Sequence, residues 1–317
     1  MDTTDATANQ RLPLIAVAGR LLQRLRGANR LGFALIFLAP SLVIFGAFVF
    51  YPLMKAVYLG FYETDNFGNQ GDFVGLDQYR TVLTSESFRH TLKVTFLFAL
   101  YTVPPGILLG LALALLANQK LPGISIFRVM FSSTVATSVA VASLMWLTLL
   151  NPNIGLVNYF LVEAGQPRIE WLLDPDWALP AVSATTVWMS LGLAFIVILA
   201  GLQTIPDELY ESARVEGASD WRLFWHVTLP LLSPTLFFVS VVGTIFAFQS
   251  FGQIHILTGG GPLDATEVIV YSIWEDAFGK GTPAYGVASV QAVALFLLVL
   301  GLTVIQFRFL ERRVFYQ

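Results

Sequence analysis

The chain contains no cysteine, which excludes disulfides and thiolate metal sites alike. Charge is scarce as well. Asp, Glu, Lys and Arg make up 12% of the 317 residues, against about 25% in a soluble globular domain. The net charge is −3, which gives no sign of a nucleic-acid partner. No Gly-x-x-x-x-Gly-Lys-Ser/Thr loop is present, so the chain lacks a phosphate cradle of its own for ATP. His90, His226 and His255 stand far apart and show no zinc-ligand spacing. No Gly-x-Ser-x-Gly elbow marks a hydrolase nucleophile.

What is abundant is apolar length, with 56% of residues hydrophobic. Six runs reach the roughly 20 residues that a helix needs to cross a hydrocarbon core of about 30 Å. They lie at 31–54, 91–118, 124–150, 179–203, 231–257 and 285–310, each bounded by charge, Pro or Gly. Pro40, Pro104 and Pro105 fall inside or near the start of spans, where neighbouring helices satisfy the freed carbonyls. The expected fold class is all-α, a polytopic membrane protein with six transmembrane helices. Its parts are an N-terminal segment (1–30), a transmembrane domain (31–310) and a short C-terminal tail (311–317).

Orientation follows from Lys and Arg. With both termini cytoplasmic, twelve of the 18 basic residues fall in inner segments and six in outer ones. Residues 1–30 lack the long apolar core of a secretory signal. Two readings fit them. Arg20, Arg24, Arg26 and Arg30 beside Leu21, Leu22 and Leu25 suit a basic amphipathic helix on anionic lipid, and they equally suit a solvated tail that sets orientation. The outer loops are long and carry Trp171, Trp177 and Trp274, residues suited to a membrane interface.

The large inner loop, 204–230, is the most polar stretch between two apolar runs. "TIPDELYESARVEG" reads as a short helix capped by Thr204, with Pro206 in its first turn and Asp207 and Glu208 at the positive end of its dipole. Gly217 sits where a left-handed residue stops a helix. Ser219 then caps a second helix, "DWRLFWHVTLP", which Pro230 separates from the next span. Trp221, Phe224, Trp225 and Thr228 give that helix one broad apolar face. Ser212 and Ala213 are small enough for another surface to approach closely. Glu211 and Glu216 offer carboxylates to an Arg-bearing partner. A plain amphipathic loop packed on its own membrane domain fits the same pattern.

"ESARVEGASDWRLFWHVTLPLLSP" resembles the EAA motif of ABC-importer permeases. Glu211, Ala213, Gly217, Ala218, Phe224, Leu229, Pro230 and Pro234 match it, while Ser212, Glu216 and Val227 replace Ala, Asp and Ile. "LAPSLVIFGAFVFYPL" in the first run, "FVGLDQY" at 73–79 and "TGGGP" at 258–262 appear in the order of sugar-type permeases. The ending "LTVIQFRFLERRVFYQ" looks most like the first permease subunit of glycerol-3-phosphate or glycerophosphodiester importers. The resemblance implies a type I ABC importer permease fold in a bacterial cell membrane. It implies four kinds of subunit: this permease, a second homologous permease, two cytoplasmic ATPases, and a substrate-binding protein outside. ATP and Mg belong to the ATPases, and this chain itself binds no cofactor and catalyses no covalent step. Within the loop, the resemblance makes Glu211 the polar anchor of a coupling helix, Ala213 the close contact and Gly217 the bend.

Two further sets of residues carry expectations. Gly259, Gly260 and Gly261 before Pro262 form a flexible outer turn, and the resemblance implies that it faces the binding protein. No charged side chain occurs over 94–119, 129–162, 179–205 or 223–261, which argues against a proton- or sodium-coupled carrier. Trp146, Asn151, Trp188, Gln249, Ser250, Gln253 and His255 remain as polar or aromatic candidates for the solute path. Aromatic faces with amides suit neutral polyols or sugars, although each such residue also serves as packing glue between helices. The expected cargo is sn-glycerol 3-phosphate or a glycerophosphodiester, with a disaccharide such as trehalose or maltose as the near alternative. An ion-coupled secondary carrier or channel working without an ATPase is the reading from a different class.

Overall fold

A computed structural model of the chain describes residues 37–65, 67 and 69–310, and only the backbone of Phe309 and Leu310. The basic segment 1–30 and the tail 311–317 lie outside the described residues. The chain divides into two compact units with the boundary between Ala56 and Val57. The helix α1 (Phe37–Leu59) lies in the first unit up to Ala56 and runs on into the second; it includes a wide turn at Gly46–Phe50. None of its apolar window is buried. A helix apolar on every side has lipid or other helices as its solvent.

In the second unit, the end of α1 is followed by an antiparallel hairpin, β1 (Tyr62–Thr64) and β2 (Gln70–Phe73), in which Tyr62 pairs with Phe73. A short helix α2 (Asp77–Thr84) follows. Ser85 then caps α3 (Glu86–Ala117), its Oγ accepting from Phe88 N at 3.1 Å. Next come α4 (Ile124–Ala136), α5 (Val139–Leu149), α6 (Leu156–Glu163) and α7 (Pro175–Gln203). The inner loop supplies α8 (Asp207–Val215), and α9 (Asp220–Phe248) returns through the membrane. The chain ends with α10 (Gly252–Leu257), α11 (Ile269–Trp274) and α12 (Tyr285–Leu310).

Helices α3 and α7 form the centre, and they run in the same direction. Val94 and Phe98, early in α3, share a buried cluster with Leu179 and Val182, early in α7. Ala114 and Ala117, late in α3, share a second cluster with Ile198, Leu199 and Leu202, late in α7. The chain between two parallel spans must cross once more. That crossing falls to α4 and α5, which are bent by 104° relative to each other. Among the described residues, five helices are long and apolar enough to cross a membrane, and the broken pair taken as one span makes six.

The expected straight run over 124–150 is therefore corrected. The stretch "SSTVATS" gives the backbone alternatives to helix, because hydroxyls compete for carbonyls and caps. Ser132 and Ser133 bond back to Val129 O and Met130 O, and Ser138 caps Val141 N at 3.3 Å. The bend is gripped on both sides. A Cβ on Gly192 would collide with Thr134 and Val135, and one on Gly252 would lie 2.8 Å from Val139 Cγ1.

The run over 231–257 is also redrawn. Pro230 does not mark a boundary, since α9 starts ten residues earlier and passes straight through it. Proline lacks an N–H, and the helix accommodates this by widening over Phe224–Thr228, where Leu229 N reaches Phe224 O. The span instead ends at Phe248, and the chain turns through 249–251 into α10.

Candidate functional site

The 204–230 loop folds as two helices with a sharp stop at Gly217. Ala218 N donates to Ala213 O and Gly217 N to Arg214 O, both at 3.0 Å. Gly217 has φ +84. This double-bonded terminus needs a left-handed residue, which glycine adopts without a Cβ clash. The expected capping is only half right. Thr204 ends α7 and bonds back to Gly201 O at 2.8 Å, while Pro206 takes the cap position of α8 without a side-chain bond. Ser219 holds the cap position of α9 but makes no cap hydrogen bond.

Glu211, Ser212 and Glu216 are exposed, and Ala213 and Ala218 are half-buried. No residue of α8 is buried. Val215 is 89% and Trp221 72% exposed, and Trp221 meets Trp225 edge to face with ring centroids 5.6 Å apart. The segment thus presents apolar and acidic groups outward. It is anchored by residues that sequence reasoning missed. Tyr210 OH lies 3.1 Å from Thr228 Oγ1, joining α8 to α9. Lys120 Nζ donates to Asp207 Oδ2 at 2.8 Å, joining the short inner loop to α8. This pairing holds the Lys120 ammonium above its ordinary pKa. The sequence signal for both ties was thin, because each partner lies in a different element.

A crevice of about 100 Å³ opens between α3, α7 and α9, half-way along α3 and α7. Its polar lining is Thr102, Thr186, Ser190 and Ser250, with Gly106 and Gly243 leaving backbone at the wall. No charged residue or histidine lines it. Of the expected path residues, Ser250 lines the crevice. Gln253 is 6% exposed and its Nε2 donates to the crevice residue Thr186 at 3.3 Å. Trp146, Asn151, Trp188, Gln249 and His255 do not line it.

Those five sit elsewhere. Trp146 and Trp188 meet edge to face at 5.9 Å. Asn151 Oδ1 accepts from Asn153 N and Ile154 N, which commits it to a turn. Gln249 is exposed at the end of α9. His255 stacks on Phe251 at 5.2 Å and meets Trp274 at 4.6 Å. Thr102, Thr186 and Ser190 were passed over in the sequence. Their signal was the four-residue spacing Thr102, Gly106, Gly110 on α3 and Thr186, Ser190 on α7, which puts small and hydroxylated residues on one helix face.

The glycine turn is held rather than flexible, a correction to expectation. Thr266, fully buried, bonds to Gly261 O at 2.8 Å and to Thr258 Oγ1 at 2.7 Å, and its N donates to Gly260 O. Gly259 and Gly260 take positive φ, and the Gly261–Pro262 bond is cis. A Cβ on Gly260 would lie 2.6 Å from the Tyr271 ring. Leu263, 86% exposed, projects at the tip.

Five or six apolar spans, a neutral mid-depth crevice and a solvent-facing two-helix loop fit a membrane permease. Residues 106–316 match the family described as binding-protein-dependent transport system inner membrane component, and the chain belongs to that family. It is an ABC importer permease, working as one part of a larger transport complex. The sn-glycerol-3-phosphate transport system permease protein UgpA of Agrobacterium fabrum is 39% identical over 284 residues, covering 89% of this chain and 95% of that protein. The protein of the same name from Rhizobium meliloti is 37% identical, and that from Yersinia enterocolitica 35% over 88% of this chain and 94% of its own. A bacterial alginate ABC transporter solved with an alginate pentasaccharide-bound periplasmic protein shares the fold. Its matching chain gives a TM-score of 0.78 at 23% identity, covering 90% of this chain and 96% of that one. The reading as a carrier or channel without an ATPase falls with the family assignment.

Proposed function

We propose that this chain forms half of the membrane path of an importer for sn-glycerol 3-phosphate or a related glycerophosphodiester. A second homologous permease supplies the other half. A binding protein delivers the solute on the outer face, where the ordered turn Gly259–Pro262 offers it a contact. Two ATPase subunits, which carry ATP and Mg, grip the inner loop, and both termini of this chain lie on their side of the inner membrane.

The observation that carries the cargo is the near full-length likeness to permeases named for sn-glycerol 3-phosphate. The neutral crevice, with four hydroxyls in a mostly apolar lining, supports a polyol-bearing solute over a bare ion. Glu211, Ser212, Ala213, Glu216, Gly217 and Ala218 form the gripped surface. Pro230 lies just beyond the widened turn Phe224–Thr228, and a push on α8 passes through Tyr210–Thr228 into the span. Closure of the ATPase pair then shifts the permease between outward- and inward-open states.

The test is uptake by the reconstituted complex with its binding protein in proteoliposomes. ATP-dependent accumulation of sn-glycerol 3-phosphate, saturable and lost without the binding protein, is expected. Accumulation of trehalose or maltose with no uptake of the phosphate compound would replace the cargo. Uptake that persists without the ATPase subunits would sink the mechanism.

A further inference from the structure

The crevice residues share one chemical property. Each hydroxyl spends its proton on a backbone carbonyl three or four residues earlier in the chain. Thr102 donates to Phe98 O at 2.8 Å, Thr186 to Val182 O at 2.8 Å, Ser190 to Val187 O at 3.1 Å, and Ser250 to Phe246 O at 3.0 Å. A hydroxyl has one proton to give and two lone pairs to receive. What each of the four has left to offer is therefore acceptor capacity. At Thr186 the amide of Gln253 takes one of the lone pairs, at 3.3 Å, and so fixes which way the remaining one points. No Lys, Arg or His lines the space to add a donor.

A solute group that donates hydrogen bonds meets this lining without breaking any of the four back-bonds. A group that only accepts, such as a phosphate dianion, must break them and finds no cation in exchange. We infer that this crevice reads the hydroxyl-bearing end of the solute, with Thr186 as the specificity-determining acceptor and Gln253 as its positioning residue. The anionic end is left to the opposite half of the path. This rests on the crevice being part of the path, and it divides a polyol phosphate between the two permeases by chemistry. The absence of cations from the crevice lining then follows from the cargo's orientation.

The experiment compares two solutes in the reconstituted, binding-protein-dependent complex: sn-glycerol 3-phosphate and its analogue lacking the terminal hydroxyl. The quantity read is the ratio of their transport efficiencies, which cancels the binding protein's own preference when variants are compared. T186V, nearly isosteric, should lower uptake of the hydroxylated solute about tenfold, the worth of one net hydrogen bond, and leave the analogue unchanged. T186S should keep the wild-type ratio, and Gln253→Leu should lower it by a smaller factor. An unchanged ratio in T186V and S250A would overturn the inference while leaving the cargo intact. Equal loss of both solutes in T186V, with normal insertion, would also overturn it, because the residue would then be structural. If the wild type carries a disaccharide instead, the cargo proposal fails alone, and the same ratio taken with the disaccharide and its deoxy form decides the crevice.

Discussion

Lys120 and Asp207 join two loops 87 positions apart in the chain, with Nζ 2.8 Å from Oδ2. Both side chains are exposed, so the pair adds little to stability, and salt screens it. Its value is topological, because it places the ends of α3 and α7 on one side of the membrane. The chain has no native cysteine, which makes a clean test available. Lys120→Cys with Asp207→Cys should be joined by a short bifunctional thiol reagent that stays on the inner side, shown by altered mobility on a denaturing gel. Reaction only from the outer side would reverse the orientation.

Gly217 makes the bend between α8 and α9 by holding φ at +84. A side chain there costs about 1–2 kcal/mol in the left-handed region, and the two bonds from Gly217 and Ala218 to α8 weaken with it. The position is exposed and nothing lies near its missing Cβ. Gly217→Val should therefore insert and assemble normally in amount while losing most ATP-driven uptake. Basal ATP hydrolysis by the complex should continue without stimulation. Uptake at the wild-type rate would show that the shape of this bend does not matter to coupling.

How much of this was legible beforehand depends on how local each cause is. Gly217 was readable because its constraint is a backbone angle at one residue. The six apolar runs were readable because lipid imposes length. The break at Thr137 was not, since it depends on Gly192 and Gly252 from other elements closing on the bend. Pro230 misled for a related reason: a proline signals a boundary locally, yet a wide helical turn absorbs it. In the crevice, Ser250 was found because it stands near an obvious loop. Thr186 was missed because a hydroxyl inside a long apolar helix acquires meaning only when α3 and α9 face it. Asn151 was chosen for its amide, and the oxygen of that amide is engaged by its own turn.

Thr266 ties the glycine turn together from a fully buried position. Its hydroxyl serves both Thr258 and Gly261, at 2.7 and 2.8 Å. Thr266→Val keeps the shape and strands buried polar partners, at a cost of about 1–3 kcal/mol. The expected outcome is a lower thermal midpoint for the purified permease, together with weaker stimulation of ATP hydrolysis by the binding protein. Gly260→Ala should do the same through collision with Tyr271. A lowered midpoint with full stimulation would separate the turn's rigidity from binding-protein contact.

Glu267 follows this turn and is buried, and burial pushes its carboxyl above the ordinary range; a hydrogen bond from Ser272 opposes the shift only in part. In the unfolded chain the same group titrates normally. Between the two values the folded state holds a proton that the unfolded state has lost, so stability falls as pH rises through that window. The contribution is complete below the ordinary carboxylate value and gone above the raised one. Glu267→Gln carries no titrating proton and mimics the protonated group. The variant should match the wild type below the ordinary carboxylate value and exceed it in thermal midpoint above the raised one, with a flatter dependence between. Parallel pH profiles for the two proteins would show that Glu267 titrates alike in both states, and that its burial is fully compensated by its neighbours.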